Sequence, residues 1–182
     1  VAAGMNVLLI DTNFRKPTSS SLFPPVHSDR DAGGHSDFGL SNYLMGQCQC
    51  EQVIRNSGIE NFDIIDSGPL PANPAEILGN ARMSELISKT TDGYDYVIVD
   101  GPPMLVSEAK ILATIVDGVV FVLNSELTHR GAAQRVIREL KNINVNVLGG
   151  VLLGVRALKG GYFRETFNSY QQYQDMQVYQ PI

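Results

Sequence analysis

Two short apolar runs in this chain end in aspartate: Asn6 to Asp11 reads NVLLID, and Tyr94 to Asp100 reads YDYVIVD and continues into Gly-Pro-Pro. Such runs read as buried parallel strands, and in open parallel sheets ligands gather at the carboxyl ends of the strands. Two carboxylates at neighbouring strand ends repel each other unless one is protonated or a cation lies between them. Mg²⁺ on a nucleotide phosphate is the natural neutraliser, and Arg15 and Lys16, just past Asp11, add charge suited to phosphate. The plainer alternative is that each Asp caps the turn leaving its strand. A second run with the same ending favours the chemical reading.

Other reactive side chains lack partners at useful spacing. Cys48 and Cys50 form a C-x-C pair with no further Cys or His at metal-ligand distance, so they read as two reduced thiols. His27, His35 and His129 are scattered. Ser125 and His129 have no third residue to orient them as a nucleophile and base. Arg130, Arg135, Arg138 and Lys141 lie along one predicted helix opposite Ala133, Val136, Ile137 and Leu140. That pattern reads as a solvated basic face, or as a contact for an acidic partner or another subunit.

The elements that must position the two aspartates follow from periodicity. Besides the two Asp-ending runs, Phe62–Ile65, Gly118–Leu123 and Asn146–Leu153 read as strands. Helical spacing predicts Asp37–Gly46, Cys50–Asn56, a pair of pieces around Gly79 starting at Pro74 with Asn73 as cap, Val106–Ile115 and Arg130–Lys141. Residues 12 to 37, rich in Pro, Ser, Gly and Asp, read as one long loop. Strands alternating with helices define an α/β fold with a mostly parallel sheet. From Gly160 onward aliphatic periodicity gives way to Gln, Asn and Tyr, and Tyr162, Tyr170, Tyr173 and Tyr179 are four of the seven tyrosines. The expected organisation is an α/β domain over residues 1–159 and a flexible or docking tail over 160–182.

Composition fits one globular domain. The 182 residues are 43% hydrophobic and 18% charged, which argues against a disordered chain. A net charge of −5 is a poor match to a nucleic-acid binder. No run approaches the ~20 apolar residues of a membrane span, and no basic-then-apolar leader opens the sequence.

The motifs resemble those of a known family. VLLIDTNFRKP at Val7 to Pro17 is similar to the second acidic motif of the bacterial tyrosine autokinases, and YVIVDGPP at Tyr96 to Pro103 is similar to their Walker B motif. GLSNYLMG at Gly39 to Gly46, the segment from Gly58 to Met83, VDGVVFVL at Val116 to Leu123 and VLGGVLLGV at Val147 to Val155 resemble the same family. The resemblance implies a P-loop fold related to the cell-division and partitioning ATPases. It also implies ATP and Mg²⁺ as cofactors, and control of capsule or exopolysaccharide synthesis and export. Asp11 and Asp100 would be the catalytic and metal-holding residues, and Asn13 and Arg15 would lie at the nucleotide. Tyr162, Tyr170, Tyr173 and Tyr179 would be acceptors, phosphorylated in trans within a ring. The implied partner is a chain-length-determining membrane protein, fused or separate, which would hold the domain at the cytoplasmic face of the membrane.

Three departures accompany the resemblance. The loop G-x-x-x-x-G-K-[ST] is absent, since none of Lys16, Lys89, Lys110, Lys141 and Lys159 sits in that frame. The family pattern puts this loop, with its mid-sheet strand, before Val1, and VAAG at Val1 to Gly4 looks like the end of the helix that follows the loop. Asn13 stands where the family pattern has a second Asp, and the tail tyrosines are spaced rather than contiguous. A scaffold without phosphoryl transfer, or a partitioning-type ATPase, are the alternatives.

Overall fold

The computed structural model describes residues 4–24 and 38–155. Contacts divide the chain into two compact units: residues 1–118 with 143–145, and residues 119–142 with 146–182.

In the first unit β1 (Val7–Asp11) lies between β3 (Phe62–Ile65) and β4 (Tyr96–Asp100), both parallel to it. Flanked on both sides, β1 has no polar alternation, and Leu8 and Ile10 are completely buried. β2 (Ile54–Ile59) closes the order β2-β3-β1-β4 and runs antiparallel to β3. The helix expected over Cys50–Asn56 is therefore one 3₁₀ turn, Cys50–Gln52, followed by a strand. A hairpin favours this outcome. Asn61 adopts the left-handed conformation (φ 59°), Ser57 Oγ donates to the Phe62 carbonyl at 2.6 Å, and Ile54 pairs with the buried Ile65. The sheet is accordingly mixed, with a parallel centre.

Helices cover this sheet. The loop expected over residues 12 to 37 contains α1 (Ser19–Leu22), and part of that loop lies outside the described residues. α2 (Leu40–Leu44) buries Leu40, Tyr43 and Leu44 against Leu8, Ile10 and Ile65. α3 (Pro74–Leu78) and α4 (Ala81–Thr90) break at Gly79 as expected. Asn73 holds the cap position of α3 without capping through its side chain, which donates to Glu76; Asn80 Oδ1 caps α4 by accepting from Arg82 N at 3.2 Å. α5 (Ser107–Ala113) buries Ala109, Leu112 and Ala113.

In the second unit β5 (Val119–Asn124), α6 (Arg130–Asn142) and β6 (Val147–Leu153) form a β-α-β unit with parallel strands. Leu140 is fully buried, while Arg130, Arg135, Arg138 and Lys141 are exposed, as the amphipathic pattern requires. The tail beginning at Gly160, with its four tyrosines, lies outside the described residues.

One close approach fixes the segments leaving β3. Gly39 presses on Gly68, itself at φ +75°, while Leu40 N and Ser41 N donate to the carbonyls of Asp66 and Ser67 at 2.8 and 3.0 Å. A methyl carbon on Gly39 would lie 2.4 Å from Gly68 N, a clash with backbone that no side-chain rotation relieves. Gly39→Ala is therefore expected to destabilise the fold by about 1–3 kcal/mol. The check is a urea titration, in which an unchanged midpoint counts against this packing.

Candidate functional site

The site is built at the carboxyl ends of three adjacent parallel strands. Asp11 ends β1 and is paired in register with Asp100, which ends β4. On the other side Ile10 pairs with Ile65, so Asp66 leaves β3 beside Asp11. Three carboxylates thus stand in a row, and each is compensated differently.

Asp66 is paired with Arg55 on β2: Arg55 Nε donates to Oδ2, and Nη2 donates to Oδ1 at 2.9 Å. Burial pushes the Asp66 carboxyl up, but the hydrogen bonds and the positive charge of Arg55 work against it, and the group lies below the usual carboxylate range.

Asp11, 1% exposed, is held by the chain that follows it. Its Oδ1 accepts Asn13 N at 2.9 Å. Its Oδ2 accepts Thr18 N and Ser19 N at 3.2 Å and Ser19 Oγ at 2.8 Å. Residues 12–19 are therefore folded around a buried carboxylate. Ser19 Oγ also lies 2.7 Å from Asp66 Oδ1, which links the two acids.

Asp100 receives no hydrogen bond on its carboxylate among the described residues and is solvent-exposed. Its backbone is fixed by Thr12, whose N and Oγ1 both donate to the Asp100 carbonyl, at 3.0 and 2.7 Å. Burial, and then the neighbouring charge of Asp11, push the Asp100 carboxyl above the usual carboxylate range. Charge repulsion left standing in this way marks where a cation is welcome. Mg²⁺ in nucleotide sites uses one or two carboxylates, with phosphates and waters filling the other positions. Asp11 and Asp100 fit that role, and among the described residues no three His, Cys, Asp or Glu side chains converge closely enough to hold a metal ion by themselves.

The other expected site residues are placed as follows. Asn13 meets Asp11 through its backbone N–H. The Arg15 guanidinium pairs with the buried Glu108 of α5, and that hydrogen bond holds the Glu108 carboxyl below its usual range. Tyr162, Tyr170, Tyr173 and Tyr179, along with His27 and His35, lie outside the described residues. Ser125 Oγ donates to the Gly154 carbonyl at 2.5 Å and His129 is exposed, so the two form no nucleophile–base pair. Cys48 and Cys50 are buried free thiols.

Ser19, Arg55, Asp66 and Glu108 were not among the expected site residues. One signal was legible: FDIID at Phe62 to Asp66 is a third apolar run ending in Asp. Arg55 and Glu108 gave none, because their partners lie 11 and 93 residues away.

Parallel strands carrying acids at their carboxyl ends, with helices packed over the sheet, define a P-loop-type α/β domain, and comparison with known proteins agrees. A family model described as an AAA domain matches residues 1–148. The chain is 34% identical over 157 residues to tyrosine-protein kinase YwqD of Bacillus subtilis, covering 86% of this chain and 62% of that protein. It is 35% identical over 150 residues to tyrosine-protein kinase etk of Escherichia coli, covering 82% of this chain and 19% of that protein. The solved kinase domain of Escherichia coli ETK superposes with a TM-score of 0.74 at 32% identity, covering 88% of this chain and 62% of that one. The cell-division protein MinD of Pyrococcus horikoshii, solved with Mg-ADP, shares the fold alone at 19% identity and a TM-score of 0.67, covering 91% of this chain and 65% of that one. The chain belongs to the AAA-domain family, and the curated relatives it resembles are named as bacterial tyrosine-protein kinases. It spans about three fifths of the Bacillus relative and about a fifth of the Escherichia coli one.

The electrostatics of Asp100 give a prediction with a definite sign. Its folded-state carboxyl lies above the unfolded value, so ionising it, as pH rises through and above roughly 4, costs the folded state. Asp100→Asn is expected to raise the urea midpoint modestly at pH 7 in metal-free buffer, with the gain vanishing below about pH 3.9. A lower midpoint at pH 7 would show that the carboxylate stabilises the fold.

Proposed function

We propose that this domain takes part in transfer of the terminal phosphoryl group of ATP to tyrosine hydroxyls, and that Tyr162, Tyr170, Tyr173 and Tyr179 of a neighbouring copy are the acceptors. The observation that carries this reading is the registered pair Asp11 and Asp100, one held in place by four hydrogen bonds and the other given no hydrogen bond on its carboxylate by the described residues. The similarity to bacterial tyrosine kinases supports it.

A tyrosine hydroxyl is a weak nucleophile at neutral pH, so positioning and electrostatics must supply most of the acceleration. When bound, Mg²⁺ neutralises charge on the phosphate oxygens and relieves the repulsion between the two aspartates. Asp11 and Asp100 would hold it, and Thr12 fixes the Asp100 backbone against β1. The tyrosyl O–P bond forms as the bridging bond to the β-phosphate breaks; ADP leaves with the electron pair of that bond, and the phenolic proton passes to solvent water, because the oxygens of Asp11 are already engaged. The lysine-bearing phosphate loop is not among this chain's motifs, so these residues supply only the acidic half of the machinery.

The names of the relatives support a biological setting. One is named as a putative tyrosine-protein kinase in the cps region of Klebsiella pneumoniae. In this reading the domain regulates capsular or exopolysaccharide synthesis and export, in a ring of copies beside a chain-length-determining membrane protein at the cytoplasmic face of the membrane. No helix among the described residues is long and apolar enough to cross a membrane. A second reading, a scaffold without phosphoryl transfer, is favoured by Asn13, which hydrogen-bonds without carrying charge.

The test is incubation of the complete protein with Mg-ATP and mapping of phosphotyrosine by mass spectrometry. Modification of the tail is expected, and Asp11→Asn should slow it by about 100-fold or more. A tail that stays unmodified in the unaltered protein selects the scaffold. Release of free phosphate without tail modification selects a partitioning-type ATPase.

A further inference from the structure

Asp11 carries a hydrogen-bond pattern that its role in the proposed function does not explain. A carboxylate offers about four lone-pair directions. Three donors converge on Oδ2, and only Asn13 N reaches Oδ1. Oδ1 therefore keeps one direction unspent, while Oδ2 is saturated.

Behind Oδ2 stands the Ser19 hydroxyl, within 2.8 Å of Asp11 and 2.7 Å of Asp66. A hydroxyl has one hydrogen, so it donates to one of the two acids at a time. Both oxygens of Asp66 already accept from Arg55, on Nε and Nη2. With its charge met by the guanidinium, Asp66 makes little demand on the serine hydrogen, and Asp11 Oδ2 has no cation of its own. Ser19 is buried, and Arg55 is mostly so, which keeps water from substituting for either contact.

We propose that Arg55, Asp66 and Ser19 form a positioning relay for Asp11. Arg55 meets the charge of Asp66, which leaves the single Ser19 hydrogen to Asp11, and Ser19 donates it to Oδ2, so that the free direction of Oδ1 is held toward the cation site shared with Asp100. These are positioning residues, because none needs to touch the nucleotide or the metal. The proposal rests on the reading of Asp11 as a metal-holding group, and it adds residues from β2, from the end of β3 and from α1 to that function.

The relay makes a claim about geometry and a claim about metal affinity, and both are measurable without phosphoryl transfer. The complete protein, with aspartate labelled at the carboxyl carbon, is compared by NMR with Ser19→Ala, Ser19→Thr and Arg55→Met, the last leaving Asp66 to compete for the serine hydrogen. Mn²⁺ binding in the presence of ADP is then read by electron paramagnetic resonance, with thermal melts run alongside. Ser19→Ala and Arg55→Met are expected to move the Asp11 resonance and weaken Mn²⁺ binding about 10-fold or more, as loss of an outer-shell partner does. Ser19→Thr, which keeps the hydroxyl, should restore binding close to the original.

If Ser19→Ala and Arg55→Met bind Mn²⁺ as the unaltered protein does, the relay is overturned, even if their melting points fall. It is equally overturned if the unaltered protein binds no Mn²⁺ with ADP. Relay-dependent binding in a protein that makes no phosphotyrosine would leave the relay standing and remove the kinase reading, so the two failures are distinguishable.

Discussion

Like charge gathered at one end of a parallel sheet is the constraint on which this structure depends. Parallel strands running side by side deliver their last residues to the same edge, and here β3, β1 and β4 deliver Asp66, Asp11 and Asp100. The chain compensates the three by different means. Asp66 takes a guanidinium, Asp11 takes backbone N–H groups and one hydroxyl, and Asp100 takes nothing from the described residues. The gradient from full to absent compensation runs across the sheet, and its open end is where added positive charge gains most.

The surrounding fold serves that arrangement. Residues 12–19 close around Asp11 because its oxygens accept their N–H groups, so the acidic group organises its own loop. α2 docks where β3 ends: its first N–H groups bond to the carbonyls of Asp66 and Ser67, and Gly39 meets Gly68 with no room for a side chain. Arg15 pairs with Glu108, which ties the loop to α5. Packing is thus carried by the same few strand-end residues that the proposed function uses. A substitution there that impairs chemistry will also alter stability, with a sign set by the charge it removes.

Much of this was legible in the sequence because it is local. The Asp-ending runs, the break at Gly79 and the amphipathic helix Arg130–Asn142 depend on neighbours within a few positions. β2 was not legible, because Ile54–Ile59 becomes a strand through pairing with β3 and through the turn at Asn61, against a helical reading of the preceding residues. α1 was hidden in a run of Thr and Ser whose role is set by the Asp11 carboxylate seven and eight residues earlier. The Arg55–Asp66–Ser19 chain joins three segments that only the folded sheet brings together. Asp66 alone left a visible trace, as the third apolar run that closes on an acid.

The most direct test of the account is a crystal of the complete protein grown with ADP and Mn²⁺, measured at the manganese absorption edge. The account predicts an anomalous peak between the Asp11 and Asp100 carboxylates, with Oδ1 of Asp11 facing it and Oδ2 still turned to Ser19. A nucleotide bound with manganese elsewhere, or with Asp11 turned so that Oδ2 meets the ion, would contradict it.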